Sequence, residues 1–224
     1  MRRGQPTNLG RAMLVIIALL VVIGGVVWVG RTLLGGDVKP TEANAGQKLL
    51  DEPTDMMGVR MSVRGPVNAN EIHYSIIMTI TASERRLTTY RGYNGSIIHD
   101  ERLDNNMAAF RDLAAALSRA GFMHENGRDE PEEGVCATGQ LIYFEVFEYV
   151  KNDQDETVEK SVKKLWTTEC EKITGNFAGL LINVVDLFKA QIPNSQAIID
   201  SAKEVVEDEN SIYRDDYDTG LGSF

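Results

Sequence analysis

The most continuous apolar pattern in the chain is Ala12 to Gly30, AMLVIIALLVVIGGVVWVG, 19 residues without a charge between Arg11 and Arg31. At 1.5 Å per residue such a helix spans about 28 Å, close to the hydrocarbon thickness of a bilayer. A helix satisfies its own backbone hydrogen bonds, so the run can cross lipid. It is expected to be a transmembrane helix, and the bilayer is then the first partner of the chain. Beyond it the pattern changes to alternation. Val59, Met61 and Val63 alternate with Arg60, Ser62 and Arg64, which predicts a half-buried strand. Ile72, Tyr74, Ile76, Met78, Ile80 and Ala82 form the apolar phase of a longer strand, with His73, Ser75, Thr79 and Thr81 on its polar phase. Two further strand-like runs, Leu87 to Arg91 and Ile97 to Arg102, flank Asn94-Gly95. That dipeptide is a strong hairpin signal and predicts a type I′ turn placing His99 opposite Tyr90.

The period then lengthens. Met107, Phe110, Leu113, Ala114 and Leu117 recur at helical steps, with Asp104 or Asn105 as the expected cap and Gly121 as the stop. Two long strands, Gln140–Val150 and Val158–Thr168, surround a polar turn. Phe177, Leu180, Leu181, Val184, Val185 and Phe188 predict a second, deeply buried helix, and a short third helix runs from about Ser195 to Val206. The fold class is therefore α+β: an N-terminal transmembrane helix, then an antiparallel sheet of about six strands packed with two to three helices. Residues 1–11 read as a cytoplasmic N-terminus, 12–30 as the span and 31–57 as a tether with one turn of helix near Leu49-Leu50. Residues 58–206 read as an extracytoplasmic domain, and 207–224 as a disordered acidic tail.

Charge supplies the orientation. Arg2, Arg3 and Arg11 precede the span, against Arg31 and Lys39 after it, which favours a cytoplasmic N-terminus. Residues 1–35 carry +4, so the chain's net −10 leaves −14 on the remainder. An acidic chain of this kind is no generic nucleic-acid binder. The rival to an anchor is a cleaved signal peptide ending at Ala43-Asn44-Ala45. That site lies too far past the apolar run, and the run is longer than a usual signal core. The expected location is the cell membrane, single-pass, with the C-terminal domain outside.

The two cysteines, Cys136 and Cys170, are placed symmetrically about the polar turn at 153–154. Residues equidistant from a hairpin turn face each other. A Cys136–Cys170 disulfide is therefore expected at the open end of the hairpin, in an oxidising compartment where it would persist. The same register sets Phe144 against Val162, Leu141 against Leu165, and Tyr143 against Lys163.

Around these cysteines the chain reads Gly134-Val135-Cys136-Ala137-x-Gly139, Tyr143-Phe144-Glu145, Leu165-Trp166-Thr167-Thr168-x-Cys170 and Gly175-Asn176-Phe177. With Asn105 through Phe122 and Gln191-Ile192-Pro193, these strings resemble uncharacterised single-span membrane proteins of small-genome candidate-phylum bacteria. The resemblance covers roughly residues 90–195 and implies architecture and location only.

Candidate chemistry is sparse. Ser96, His99 and Asp100 contain the residue types of a hydrolase triad, but His99 and Asp100 are consecutive in a strand and point to opposite faces. Asp153 and Asp155, or Asp215, Asp216 and Asp218, could offer oxygen ligands to calcium, yet neither run has the spacing of a calcium loop. The chain has no P-loop, GxGxxG or HExxH, so no cofactor, metal or catalytic residue is assigned. Two readings remain. One is a membrane-anchored binding or envelope-organising module. The other is an extracytoplasmic enzyme whose Arg60, Arg64 and His73 converge on a pocket. A deep pocket with two or more convergent polar groups favours the enzyme, and a flat sheet face favours the module.

Overall fold

A computed structural model describes residues 45–128, 136–170, 173 and 175–204. The apolar run at 12–30, the acidic tail at 207–224 and the acidic residues Asp129 to Glu133 lie outside the described residues. Among the described residues no helix is long and apolar enough to cross a membrane.

Six strands form one antiparallel sheet: β1 (Met57–Arg64), β2 (Tyr74–Thr81), β3 (Glu84–Arg91), β4 (Ser96–Asp104), β5 (Leu141–Lys151) and β6 (Thr157–Thr168). Their spatial order is β4-β3-β2-β1-β5-β6. Three successive hairpin-like links build one half. The chain then crosses through a helix and adds β5 to the other side of β1, with β6 folded back on it. Helices α1 (Ala45–Asp51), α2 (Met107–Arg119) and α3 (Leu181–Lys189), and a helical segment α4 at 195–204, accompany the sheet.

Alternation decides which face is buried. Val59 and Met61 of β1, Ile76, Met78 and Ile80 of β2, and Phe144 and Val146 of β5 all point to one side. There they meet Phe110, Leu113, Ala114 and Leu117 of α2, Val184 and Phe188 of α3, and Ile199 of α4 in one continuous core. Helix α2 is capped by Asn106, one residue beyond the expected Asp104 or Asn105. Asn106 is extended and its side-chain oxygen accepts from the Ala109 N–H at 3.0 Å, which satisfies one free donor of the first turn. Gly121, at φ +76°, ends the helix as expected.

Several expectations are corrected. The ordered domain begins before residue 58: α1 occupies part of the stretch read as a tether, and Leu50 is fully buried against the core. Among the described residues four helices accompany the sheet, where two to three were expected. Helix α3 starts at Leu181, not Phe177, and it is not deeply buried. Only its Val184 and Phe188 are fully covered, while Ile182 is 74% exposed. Phe177 instead lies in an extended stretch that bridges Glu125. That stretch also serves the outer edge of β6. Asn176 Oδ1 accepts from the Trp166 N–H, and the Phe177 N–H donates to the Trp166 carbonyl. This satisfies both backbone groups of Trp166 on that edge, locally blunting it.

Both predicted registers shift. The β3–β4 loop spans Gly92 to Gly95, and the positive φ angles fall on those two glycines, not on Asn94. A bulge at Thr89/Tyr90 then sets Tyr90 opposite Ile97 and His99 opposite Thr89. In the β5–β6 hairpin, a longer turn and a bulge at Val146/Phe147 move the pairing by up to three residues. Phe144 faces Leu165, Tyr143 faces Trp166, and Leu141 faces Thr168. Cys136 and Cys170 are nevertheless disulfide-bonded, with Cα atoms 5.9 Å apart. They lie beyond the strand ends. Residues 137–139 bend and bring Cys136 back over Cys170. Gly139 sits so close beneath the bridge that a Cβ there would lie 2.8 Å from Cys136 Sγ.

Candidate binding trough on the open sheet face

The face opposite the core carries no helix among the described residues. Its side chains are set out in ranks by the strand register. One rank runs Arg102, Arg86, Thr79, Arg60, Glu145, Lys164 from β4 to β6. The next runs Asp100, Thr88, Ile77, Ser62, Tyr143, Trp166. A third contains Tyr90, Ser75, Arg64 and Leu141. The two middle strands, β1 and β2, contribute mainly small side chains in their centre. Larger ones stand on either side, and the result is a trough of about 1,020 Å³. That volume is at the upper end of ordinary ligand sites.

One end of the trough is walled. The loop at 65–73 and the hairpin at 92–95 are tied to each other. The Gly92 N–H donates to the His73 carbonyl, the Tyr93 N–H donates to Asn70 Oδ1, and the Tyr93 hydroxyl donates to the Asn68 carbonyl. The His73 and Tyr93 rings stack at 4.0 Å and 11°. His73 is buried, and its Nδ1 lies 3.1 Å from the Pro66 carbonyl. A carbonyl only accepts, so Nδ1 carries the proton and Nε2 is left as the second nitrogen. The Val67 N–H donates to the Ala137 carbonyl, which links this wall to the disulfide segment. Cys136 itself lines the trough.

The charges in the trough are mostly paired. Arg60 donates to Glu145 at 2.9 Å and forks onto Glu159 at 2.8 and 2.6 Å, while its Nε reaches Thr79. Its guanidinium also lies 4.6 Å from the centre of the Phe147 ring. Burial disfavours the Arg60 charge, but the bonds and charges of Glu159 and Glu145 outweigh it and raise the pKa above its ordinary value. At the β3–β4 side, Arg86 forks onto Asp100 at 2.6 and 3.0 Å. Thr88 and Arg102 also donate to that carboxylate. Arg86 above all, with Thr88 and Arg102, holds the Asp100 carboxyl well below the usual carboxylate range.

Tyr143 occupies the other flank. It is buried beneath two cations that reach over it from neighbouring strands: Arg64 at 5.0 Å and Lys164 at 4.2 Å from the ring centre. Arg64 has no carboxylate partner among the described residues.

Arg60, Arg64 and His73, singled out from the sequence, all line this one trough. Ser96, His99 and Asp100 do not form a triad. Asp100 is held by Arg86 on the open face, while His99 faces the other way, its Nε2 3.6 Å from Glu101. At the β5–β6 turn, Asp155 is engaged by Lys151, whose Nζ donates to the Asp155 carbonyl. Among the described residues no three His, Cys, Asp or Glu side chains cluster as metal ligands would. Sequence reasoning missed Tyr90, Tyr93, Tyr143, Arg86 and Lys164. All but Tyr93 sit on the polar phase of their strands, so alternation in β3, β5 and β6 was the available signal. Compared with known protein families and with curated proteins, the chain matches none.

Proposed function

We propose that this chain is a membrane-anchored extracytoplasmic binding module, with the open sheet face as its ligand site. The observation that carries the reading is the trough: a concave, walled surface of hydroxyl, aromatic and cationic side chains that no helix covers among the described residues, while the opposite face packs the core. The anchor rests on the charge-free run at 12–30 and its flanking arginines. The Cys136–Cys170 bridge agrees with an oxidising compartment outside the cytoplasm.

The convergence of Arg60, Arg64 and His73 favours a second reading, an extracytoplasmic enzyme. Catalysis by proton transfer or nucleophilic attack needs a base within hydrogen-bond reach of its partner. His73 is bonded instead to a backbone carbonyl and stacked on Tyr93, and Arg60 is consumed by two carboxylates. Binding is the better account of these contacts.

The test is a photo-crosslinking amino acid placed at Ser75, in the trough, and at Arg111, on the exposed side of α2, in the full chain in living cells. Adducts from position 75 and none from position 111 are expected. Equal adducts from both positions, or none from position 75, would remove the trough as the ligand site.

A further inference from the structure

Most polar groups of the trough are already satisfied within the fold. Arg60, Arg86, Thr79, Thr88, Glu145 and Asp100 are bonded to one another as described. The exceptions are contiguous. Arg64 and Ser75 are direct cross-strand partners on β1 and β2. Ser62 is two residues from Arg64 on the same face, and His73 is two residues from Ser75 on the same side. Side chains so placed lie roughly 5–8 Å apart. Among the described residues the hydroxyls of Ser62 and Ser75 make no hydrogen bond. The same holds for His73 Nε2, and the Arg64 guanidinium lies over the Tyr143 ring with no carboxylate partner among the described residues.

This set has a definite chemistry. A guanidinium against an aromatic face keeps its N–H edge available for a planar, bidentate acceptor, which is a carboxylate. Two serine hydroxyls donate and accept, and the second imidazole nitrogen adds one more hydrogen-bonding position. Together they complement a carboxylate flanked by hydroxyls, with Tyr90 and Tyr93 beside them as surfaces for a sugar ring. A peptide strand would find no ladder here, because the backbone groups of the inner strands are spent on each other.

Resting on the binding reading above, we propose that Arg64, Ser62, Ser75 and His73 form a subsite for a carboxylate-bearing saccharide. Arg64 takes the carboxylate, the serines take ring hydroxyls, and His73 Nε2 bonds to one more. The charges facing the subsite are Arg60, Arg86 and Lys164 on the positive side. The carboxylates near it, Glu145, Glu159 and Asp100, are bound to Arg60 or Arg86 and leave Arg64 uncompensated.

The experiment is calorimetric titration of the full chain in detergent with an oligogalacturonate, its fully methyl-esterified form, and poly-aspartate. Oligogalacturonate should bind at least tenfold more tightly than either of the others. R64A should weaken it at least tenfold, R64K by less, and Ser75→Val should weaken it without changing the thermal midpoint. R111A should change nothing. Failure of oligogalacturonate to bind, equal binding of the ester, or an unaffected R64A overturns the saccharide subsite. Preferred binding of poly-aspartate overturns it in favour of an acidic peptide. Adducts from position 75 in cells, with no oligogalacturonate binding, would overturn this subsite while leaving the trough as the ligand site.

Discussion

The guanidinium of Arg64 lies 5.0 Å from the centre of the Tyr143 ring, although the two sit diagonally on neighbouring strands and neither is the other's register partner. Lys164 reaches the same ring from the opposite side of β5. One buried phenol thus positions two cations over the flank of the trough. Tyr143→Leu removes the ring and its cation attraction, worth about 0.5–1 kcal/mol per exposed pair, and leaves a packing defect beneath. A loss of about 1–3 kcal/mol in unfolding free energy is expected, with a smaller loss for Tyr143→Phe. Denaturant midpoints of the two variants check this. Equal losses would assign the effect to the hydroxyl instead of the ring face.

Arg60 is the central cross-strand tie, joining β1 to β5 and β6 through Glu145 and Glu159. Arg60→Leu leaves two carboxylates facing each other without a cation. Their partial exposure moderates the cost, and about 1–3 kcal/mol is expected. Lysine should restore only part of it, because an ammonium cannot fork onto Glu159 while also reaching Glu145. Urea unfolding of R60L and R60K provides the comparison.

Asp100 gives the fold an acid limit. Its folded pKa is depressed by Arg86, Thr88 and Arg102, while an unfolded aspartate titrates near about 4. A depressed carboxyl contributes stability that is full above the unfolded value and is lost as pH falls through the folded one. The stability difference between the wild type and Asp100→Asn should therefore be constant from about pH 5 to 7. It should shrink as pH drops below about 4. Thermal midpoints across that range test it, and a difference that grew on acidification would contradict the assignment.

The disulfide should matter at two levels. Closing a loop of sequence separation 34 is worth roughly 3.5–4 kcal/mol in the chain-entropy account. Reduction, or paired Cys136→Ser and Cys170→Ser, should cost up to that much. It should also loosen the end wall locally, because Val67 depends on the Ala137 carbonyl. Hydrogen exchange should therefore quicken at Val67 before it quickens at Met61 in the core of β1. Uniform quickening would show that the bridge acts only on global stability.

Strand and helix identities were legible because the alternation of Val59-Met61-Val63 and the helical steps of Phe110-Leu113-Leu117 each follow one clear period. Registers were not. The bulges at Thr89/Tyr90 and Val146/Phe147 insert residues that no local pattern marks, so symmetric counting from the turns drifted by up to three positions. The cysteine pairing survived only because the bend at 137–139 absorbed that drift. The expectation of a deeply buried α3 fails because Ile182, and Leu180 just before the helix, are apolar yet exposed. The trough was half visible. Arg60, Arg64 and His73 were marked by their polar phase in β1 and beside β2. The tyrosines were not, because an aromatic in a strand reads equally well as core, and only tertiary register assigns its face.

The proposed function requires a trough that is presented outside the membrane and occupied there. Ile77→Cys, in the trough, and Arg111→Cys variants of the full chain can be treated in intact cells with a membrane-impermeant maleimide, before and after the envelope is stripped of its polysaccharide. Position 111 should label equally in both conditions, and position 77 should be protected until stripping exposes it. Labelling of neither position in intact cells would contradict the outside location, and equal labelling of position 77 in both conditions would contradict the occupied trough.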